Sequence, residues 1–205
     1  MSDARAEVLG RIRAALGVGT AVPDVPRAYR AAGTVSGDVV GLFCERVADY
    51  RATVRRIAAD GWGEAVAEVC RGRRLASPAG WDIPGLELVP DDPPLSARDL
   101  DALDGVVTGC ELAIAETGTI VLVGPRSGRR AITLVPDYHA CIVDAADIVP
   151  SVPDAIARLG DFAAAGQPIT LVSGPSATSD IELDRVEGVH GPRTLDVFVV
   201  EASRG

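Results

Sequence analysis

Three clusters of polar residues interrupt apolar segments in the carboxyl-terminal half of this 205-residue sequence, and both of its histidines lie in or beside them. The first cluster is Ala115-Glu116-Thr117-Gly118-Thr119. Gly118 can adopt a positive φ, so the chain can turn sharply there and present neighbouring amides. Glu116 can then act as a general base, a nucleophile or a clamp on a ligand. The alternative is a hairpin turn with an exposed glutamate, because many turn residues have no other role.

The second cluster consists of the pair Arg129-Arg130 and of the segment 136–139, which ends in His139. Two adjacent arginines can fork around a carboxylate. His139 precedes an apolar segment, and its imidazole can donate to a substrate or carry a proton. The competing interpretation is a pair of surface arginines and a histidine that bonds nearby backbone. We favour that interpretation for the arginines and leave both roles open for His139.

The third cluster joins a predicted strand, 169–172, to a predicted helix that begins after Pro175. Unpaired amides and the helix dipole make such a junction attractive to a carboxylate or a phosphate, and open α/β sheets bind ligands at that edge. Helix capping by Ser176 or Thr178 accounts for part of the pattern. It does not account for the loop that follows, in which His190 lies between Gly188 and Gly191. The candidate binding and catalytic residues of this cluster are Ser173, Gly174, Ser176, Thr178, Asp180, His190 and Arg193.

The first 72 residues show helical spacing. A first helix can be capped by Ser2 and ended by Gly17, and a segment rich in proline and small residues follows as far as residue 35. A long helix is predicted from about Ser36 to Asp60, and a shorter helix is predicted at 63–71. The apolar stripe of the long helix consists of Phe43, Val47, Tyr50, Val54 and Ile57.

From residue 73 onward, short apolar segments alternate with turns and with helical segments. Helices are predicted at about 96–103, 153–165 and 177–186, and strands at 73–77, 86–89, 106–108, 112–115, 120–123, 132–135, 141–143, 169–172 and 197–200. This order predicts an α/β fold with a mostly parallel sheet flanked by helices and an N-terminal helical extension. The section 112–135 is typical of hairpins inserted into that sheet. We therefore predict an N-terminal helix and linker at 1–35 and one α/β domain at 36–205.

Composition excludes several kinds of chemistry. All 20 basic residues are arginines, which excludes a Schiff base or a P-loop lysine. The four cysteines show no C-x-x-C spacing, so we expect neither an iron–sulfur cluster nor a metal bound by this chain. The net charge of −9 argues against nucleic acid as a partner. With no signal peptide and no apolar segment long enough to span a membrane, we expect a cytoplasmic protein with reduced thiols.

Four segments of the sequence together resemble the LUD domain family, in the branch of the lactate utilisation proteins C. They are GCELAIAETGTIVLVG, ITLVPDYHACIV, SGPSATSDIE and VEGVHGPRTLDVFVV, and the match spans about residues 105–201. Each segment is weak evidence by itself, whereas GPS-x-T-x-DIE followed closely by GVHGPR is a specific combination. The resemblance implies a fold similar to the sugar-isomerase and CoA-transferase-like α/β superfamily.

The resemblance also implies a role in oxidation of L-lactate to pyruvate, as a non-redox component beside partner subunits that carry iron–sulfur clusters. In that role Arg193 and the amides of 174–176 would hold a small carboxylate, and His190 or His139 would handle a proton. Glu116 would orient or accept one, by analogy with the glutamate of CoA transferases. The pocket would be lined by Thr117, Gly118, Thr119, Arg130 and Thr178. Two alternatives remain: an independent acyl-transfer, CoA-transfer or isomerase-like enzyme, and a purely organising subunit.

Overall fold

The computed structural model describes residues 4–17, 24–31, 37–175 and 191–202, which fall into two compact units within Met1–Arg30 and Ala31–Gly205. The division that the sequence suggests, at 1–35 and 36–205, stays a prediction. The first unit contains helix α1 (Ala4–Leu16), which confirms the first predicted helix. Gly17 follows it with a φ of 72°, a conformation that glycine adopts without strain. Ser2, the predicted cap, lies outside the described residues.

The second unit contains helices and strands in alternation. Its helices are α2 (Val39–Asp49), α3 (Trp62–Val69), α4 (Ala97–Asp101), α5 (Val152–Arg158) and α6 (Gly160–Ala164), with 3₁₀ turns at Arg130–Thr133 and Ala145–Asp147. Its strands are β1 (Thr53–Ala58), β2 (Arg74–Ser77), β3 (Glu87–Pro90), β4 (Gly105–Gly109), β5 (Leu112–Ile114), β6 (Thr119–Leu122), β7 (Tyr138–Asp144), β8 (Ile148–Val149), β9 (Thr170–Val172) and β10 (Thr194–Glu201). None of the helices in the described ranges is long and apolar enough to cross a bilayer.

Six strands form a parallel sheet in the order β1-β10-β7-β4-β2-β3. Its central strands are buried almost along their whole length, as expected when elements cover both faces of a parallel sheet. The predicted α/β fold with a mostly parallel sheet flanked by helices is confirmed.

A second, small sheet has the order β8-β5-β6-β9, and β5 and β6 form an antiparallel hairpin within it. The structure confirms the predicted hairpin. The prediction that it is inserted into the main sheet is wrong, because both of its strands belong to the small sheet. An apolar layer joins residues of the hairpin, such as Ala113 and Ile120, to residues of the parallel sheet, such as Val143 and Val197. The alternation of apolar residues predicts a strand, but it does not determine which sheet the strand joins.

Two predicted elements are wrong. The long helix ends at Asp49, and Arg51 then turns the chain with a φ of 64° before β1. Residues 53–58 pair with β10 instead, and their β-branched side chains suit a strand.

The predicted strand at 132–135 is a 3₁₀ turn, where the amides of Ile132 and Leu134 donate to the carbonyls of Arg129 and Ala131. Four apolar residues are too few for their spacing to distinguish the two structures.

Candidate functional site

The turn between β5 and β6 is pressed against helix α2. Gly118 has a φ of 61°, as predicted, and its amide donates to the carbonyl of Ala115 at 3.3 Å. A Cβ atom on Gly118 would lie 2.7 Å from the carbonyl carbon of Arg46 and 2.8 Å from the amide nitrogen of Val47. Since both of these are backbone atoms of α2, only glycine allows the turn to approach the helix this closely.

Glu116 is half-buried and held in place by the start of α5. Its Oε1 accepts a hydrogen bond of 2.9 Å from the amide of Val152, and its own amide donates to the carbonyl of Pro150. A carboxylate at the amino end of a helix is stabilised by the helix dipole. The turn is therefore a hairpin turn, as one interpretation of the sequence had it, but its glutamate is oriented by the fold rather than loose in solvent.

Three hydroxyl groups form a continuous chain beside this turn. The Oγ1 atoms of Thr117 and Thr119 are 2.7 Å apart, and the Oγ1 of Thr119 is 2.7 Å from the Oγ of Ser173. These three side chains are here called the hydroxyl cluster. Antiparallel pairing of β6 with β9, in which Ile120 lies opposite Val172, brings Thr119 beside Ser173. The structure thus joins the first polar cluster of the sequence to the beginning of the third.

Gly174 continues the contact with the end of α2. It has a φ of 80°, and a Cβ atom there would lie 2.6 Å from the Cβ of Tyr50. A Cβ atom on Gly191 would lie 3.6 Å from the carbonyl oxygen of Pro175, so the chain leaves for segment 176–190 and returns from it at neighbouring points. Four candidate residues, Ser176, Thr178, Asp180 and His190, belong to that segment and lie outside the described residues.

Arg193 pairs with a carboxylate of this chain. Its Nη1 lies 3.0 Å from Oδ2 of Asp137, and its amide donates to the carbonyl of the same residue at 2.8 Å. Both side chains are more than 60% exposed, so the ion pair is weak and can open to receive another carboxylate. The pair lies where β10 begins, two residues after Gly191.

His139 is enclosed in the core, at 1% exposure. Its Nε2 lies 2.8 Å from Oγ1 of Thr108 on the neighbouring strand. Hydrogen bonds from Cys110 and then from His139 lower the pKa of the Cys141 thiol, although burial alone would raise it. His139 therefore belongs to a buried polar group between β4 and β7. The sequence left two roles open for this histidine, contact with a substrate and hydrogen bonding within the protein.

Arg129 and Arg130 bind different partners, near the end of β6 that is distant from the hydroxyl cluster. Arg129 forks around Asp91, with distances of 2.6 and 2.7 Å to its two oxygens, and this hydrogen bonding holds the pKa of Asp91 below its usual value. Arg130 is half-buried, donates to Oγ1 of Thr133, and lines a cavity of about 400 Å³. That cavity includes Thr170, which lies opposite Leu122. It is therefore about 10 Å along β6 from the hydroxyl cluster.

The contacts between Gly118, Gly174 and α2 could not be found by reasoning from the sequence. They join Arg46 and Tyr50 to residues some 70 and 120 positions further along the chain, and a single glycine in a turn does not indicate its distant neighbour. Among the residues that the structure describes, no group of three or more His, Cys, Asp or Glu side chains is placed to hold a metal ion.

Comparisons with known proteins agree on one family. The model of the LUD domain matches residues 90–200. A relative from Deinococcus radiodurans named Lactate utilization protein C is 40% identical over 205 residues, which cover 97% of this chain and 96% of the relative. A protein of the same name from Bacillus licheniformis is 39% identical over 99 residues, 46% of this chain and 41% of that protein. The uncharacterized protein YkgG of Escherichia coli is 32% identical over 117 residues, 54% of this chain and 51% of that protein.

The fold also resembles that of a solved structure. It is the crystal structure of a DUF162 family protein from Deinococcus radiodurans, with a TM-score of 0.69 and 37% sequence identity. The similarity covers 80% of this chain and 96% of that chain.

Proposed function

Because the chain belongs to the LUD domain family, we propose that it serves in lactate utilisation and binds a small carboxylate, L-lactate or pyruvate, at the hydroxyl cluster. Support for the role comes from the relatives named Lactate utilization protein C, one of which matches over nearly the whole of both chains. Support for the site comes from the hydrogen bonds of the hydroxyl cluster, which join two separate parts of the sequence, 116–119 and 173–174.

The hydroxyl cluster carries the proposal for the ligand. Three hydroxyl groups supply three protons, and the two hydrogen bonds that join Thr117, Thr119 and Ser173 use two of them. The third proton can be donated outside the chain of hydroxyls, and a carboxylate oxygen is a strong acceptor for it. Thr119 is 5% exposed, so Thr117 and Ser173 at the two ends are the contacts that a ligand can reach.

Under this proposal, Arg193, Glu116 and His190 have further binding and proton-transfer roles. Arg193 would exchange its exposed pairing with Asp137 for the ligand carboxylate. Glu116 would orient or accept a proton, and His190 would transfer one. Removing two electrons and two protons from L-lactate yields pyruvate, and the electrons would pass to iron–sulfur clusters on partner subunits. This chain would then be the component that binds the carboxylate and not the one that carries electrons.

Calorimetric titration with L-lactate, pyruvate and acetyl-CoA tests the site. We expect a carboxylate to bind, and Thr119→Val to weaken the binding about tenfold, because the substitution keeps the volume and breaks both hydroxyl links. Thr194→Val is the matched control, since Thr194 is exposed on β10 and should leave affinity unchanged. Equal affinity of the two variants would contradict a site at the hydroxyl cluster.

The other titrations separate the competing functions. Binding of acetyl-CoA without binding of either acid would favour acyl transfer, in which the Glu116 carboxylate attacks the thioester carbonyl, the acyl group passes to Glu116 and CoA leaves as its thiolate. Absence of binding by all three compounds would favour an organising subunit. Glu116→Gln keeps an oxygen that can accept from Val152 and removes the charge, so its effect on growth with L-lactate measures the chemical role of the carboxylate.

A further inference from the structure

A cavity of about 390 Å³ lies at the carboxyl edge of the parallel sheet, beside Asp144 at the end of β7 and Val200 one residue before the end of β10. From β2 the chain continues to β3 on one side, whereas from β4 it continues to β7 and then β10 on the other side. Open α/β sheets bind ligands at the edge where strand connections diverge in this way. The hydroxyl cluster belongs to the small sheet, so this cavity is a separate place in the fold.

Both tryptophans of the sequence line the cavity, although aromatic residues make up only 4% of the chain. Trp62 follows β1 and Trp81 follows β2, and each indole is half-buried. Gly109, at the end of β4, leaves room for the second indole. A Cβ atom on Gly109 would lie 3.3 Å from Cζ2 of Trp81 and 3.4 Å from Nε of Arg126. The indole and the guanidinium therefore lie side by side over a residue without a side chain.

The polar groups of the cavity favour a ligand that donates hydrogen bonds. Asp82 and Asp144 contribute two exposed carboxylates, and one oxygen of Asp144 accepts from the amide of Ala146 at 2.9 Å. Arg126 lies 2.8 Å from Asp147, which also pairs with Arg158 at 3.0 Å. Among the charged residues that line the cavity, the two aspartates outnumber the one arginine. The cavity is therefore negative overall, which disfavours a bare carboxylate and favours a neutral group with N–H or O–H donors.

We propose that this cavity binds a purine nucleoside. The planar base would stack on an indole, and its amino group or the ribose hydroxyls would donate to Asp82 and Asp144. The volume is within the range of small-molecule sites. This inference does not depend on the proposed function, because it uses none of the residues of the hydroxyl cluster.

Intrinsic fluorescence is a direct assay, since both tryptophans lie in the cavity. The probes are adenosine and guanosine, with excitation at the red edge of the indole band, where these nucleosides absorb little. We expect saturable quenching by at least one of them. Asp82→Asn should weaken the binding about tenfold through the loss of a charged acceptor. Asp101→Asn, an exposed aspartate on α4, is the matched control and should leave it unchanged.

Further variants distinguish this site from the carboxylate site. Trp62→Phe leaves Trp81 as the reporter, and Glu116→Gln should leave nucleoside binding unchanged. Fluorescence that stays constant at millimolar nucleoside, with the fold verified by circular dichroism, would overturn the proposal. So would affinity that is unchanged in both Asp82→Asn and Trp81→Phe. Quenching by tetramethylammonium but by neither nucleoside would assign the cavity to a cation instead.

Discussion

Replacing Gly118 by alanine tests the close contact between the hairpin turn and α2. Two costs are expected. The left-handed backbone at a φ of 61° disfavours any residue with a Cβ atom by about 1–2 kcal/mol. In addition, the new Cβ would lie 2.7–2.8 Å from atoms of Arg46 and Val47, and relieving such overpacking costs typically about 1–3 kcal/mol. We therefore expect Gly118→Ala to lower the free energy of unfolding by about 2–5 kcal/mol.

Urea denaturation followed by circular dichroism measures this free energy, and Gly72→Ala separates the two costs. Gly72 has a φ of 76°, and a Cβ atom there would meet nothing within 4 Å, so it reports only the backbone strain. The difference between the two variants is the cost of moving the turn away from α2. The same movement should displace Thr117 and Thr119, so Gly118→Ala should also weaken carboxylate binding while Gly72→Ala should not.

Equal destabilisation by the two alanine substitutions would refute this reasoning. It would mean that α2 and the turn separate without measurable cost, and that the hydroxyl cluster is not held by that contact. Loss of binding in Gly72→Ala as well would point to a general loss of structure rather than to the turn.

Three other predictions concern the described core and its ion pairs. Arg129 holds the pKa of Asp91 below its usual value, so the stability from this pair is present above the unfolded-state pKa of about 4 and is lost as the pH falls through the folded-state pKa. Asp91→Asn should cost about 1–2 kcal/mol at neutral pH and flatten the loss of stability on acidification, as urea unfolding at several pH values would show. Tyr138→Phe removes a buried hydrogen bond of 2.9 Å to Asp196 and should cost about 1–3 kcal/mol in the same assay; an unchanged unfolding midpoint would contradict it. Cys44 is half-exposed with a pKa raised by burial, whereas the other three cysteines are buried. Iodoacetamide should therefore label only Cys44 in the native protein, and slowly, as mass spectrometry would show; rapid labelling of a buried thiol would contradict that packing.

Most of the secondary structure of this chain can be predicted from its sequence. The alternation of short apolar strands with helices predicts the α/β class, and the β5–β6 hairpin is predicted by Gly118 between two apolar segments. Such features depend on neighbours a few residues apart, which the sequence places directly. The prediction is wrong at 53–58 because sheet pairing with β10, a partner some 140 residues away, outweighs the helical spacing of Val54 and Ile57.

The sequence by itself therefore determined the fold class, the polar clusters and the family that they resemble. Tertiary structure alone decided which clusters meet. Antiparallel pairing of β6 with β9 brings Thr119 to Ser173, while the core encloses His139 and keeps Arg130 at the far end of β6. The physical reason is that hydrogen-bonded strand register and side-chain packing act between residues distant in sequence. A polar residue therefore becomes part of a site only through partners that its own local pattern does not specify.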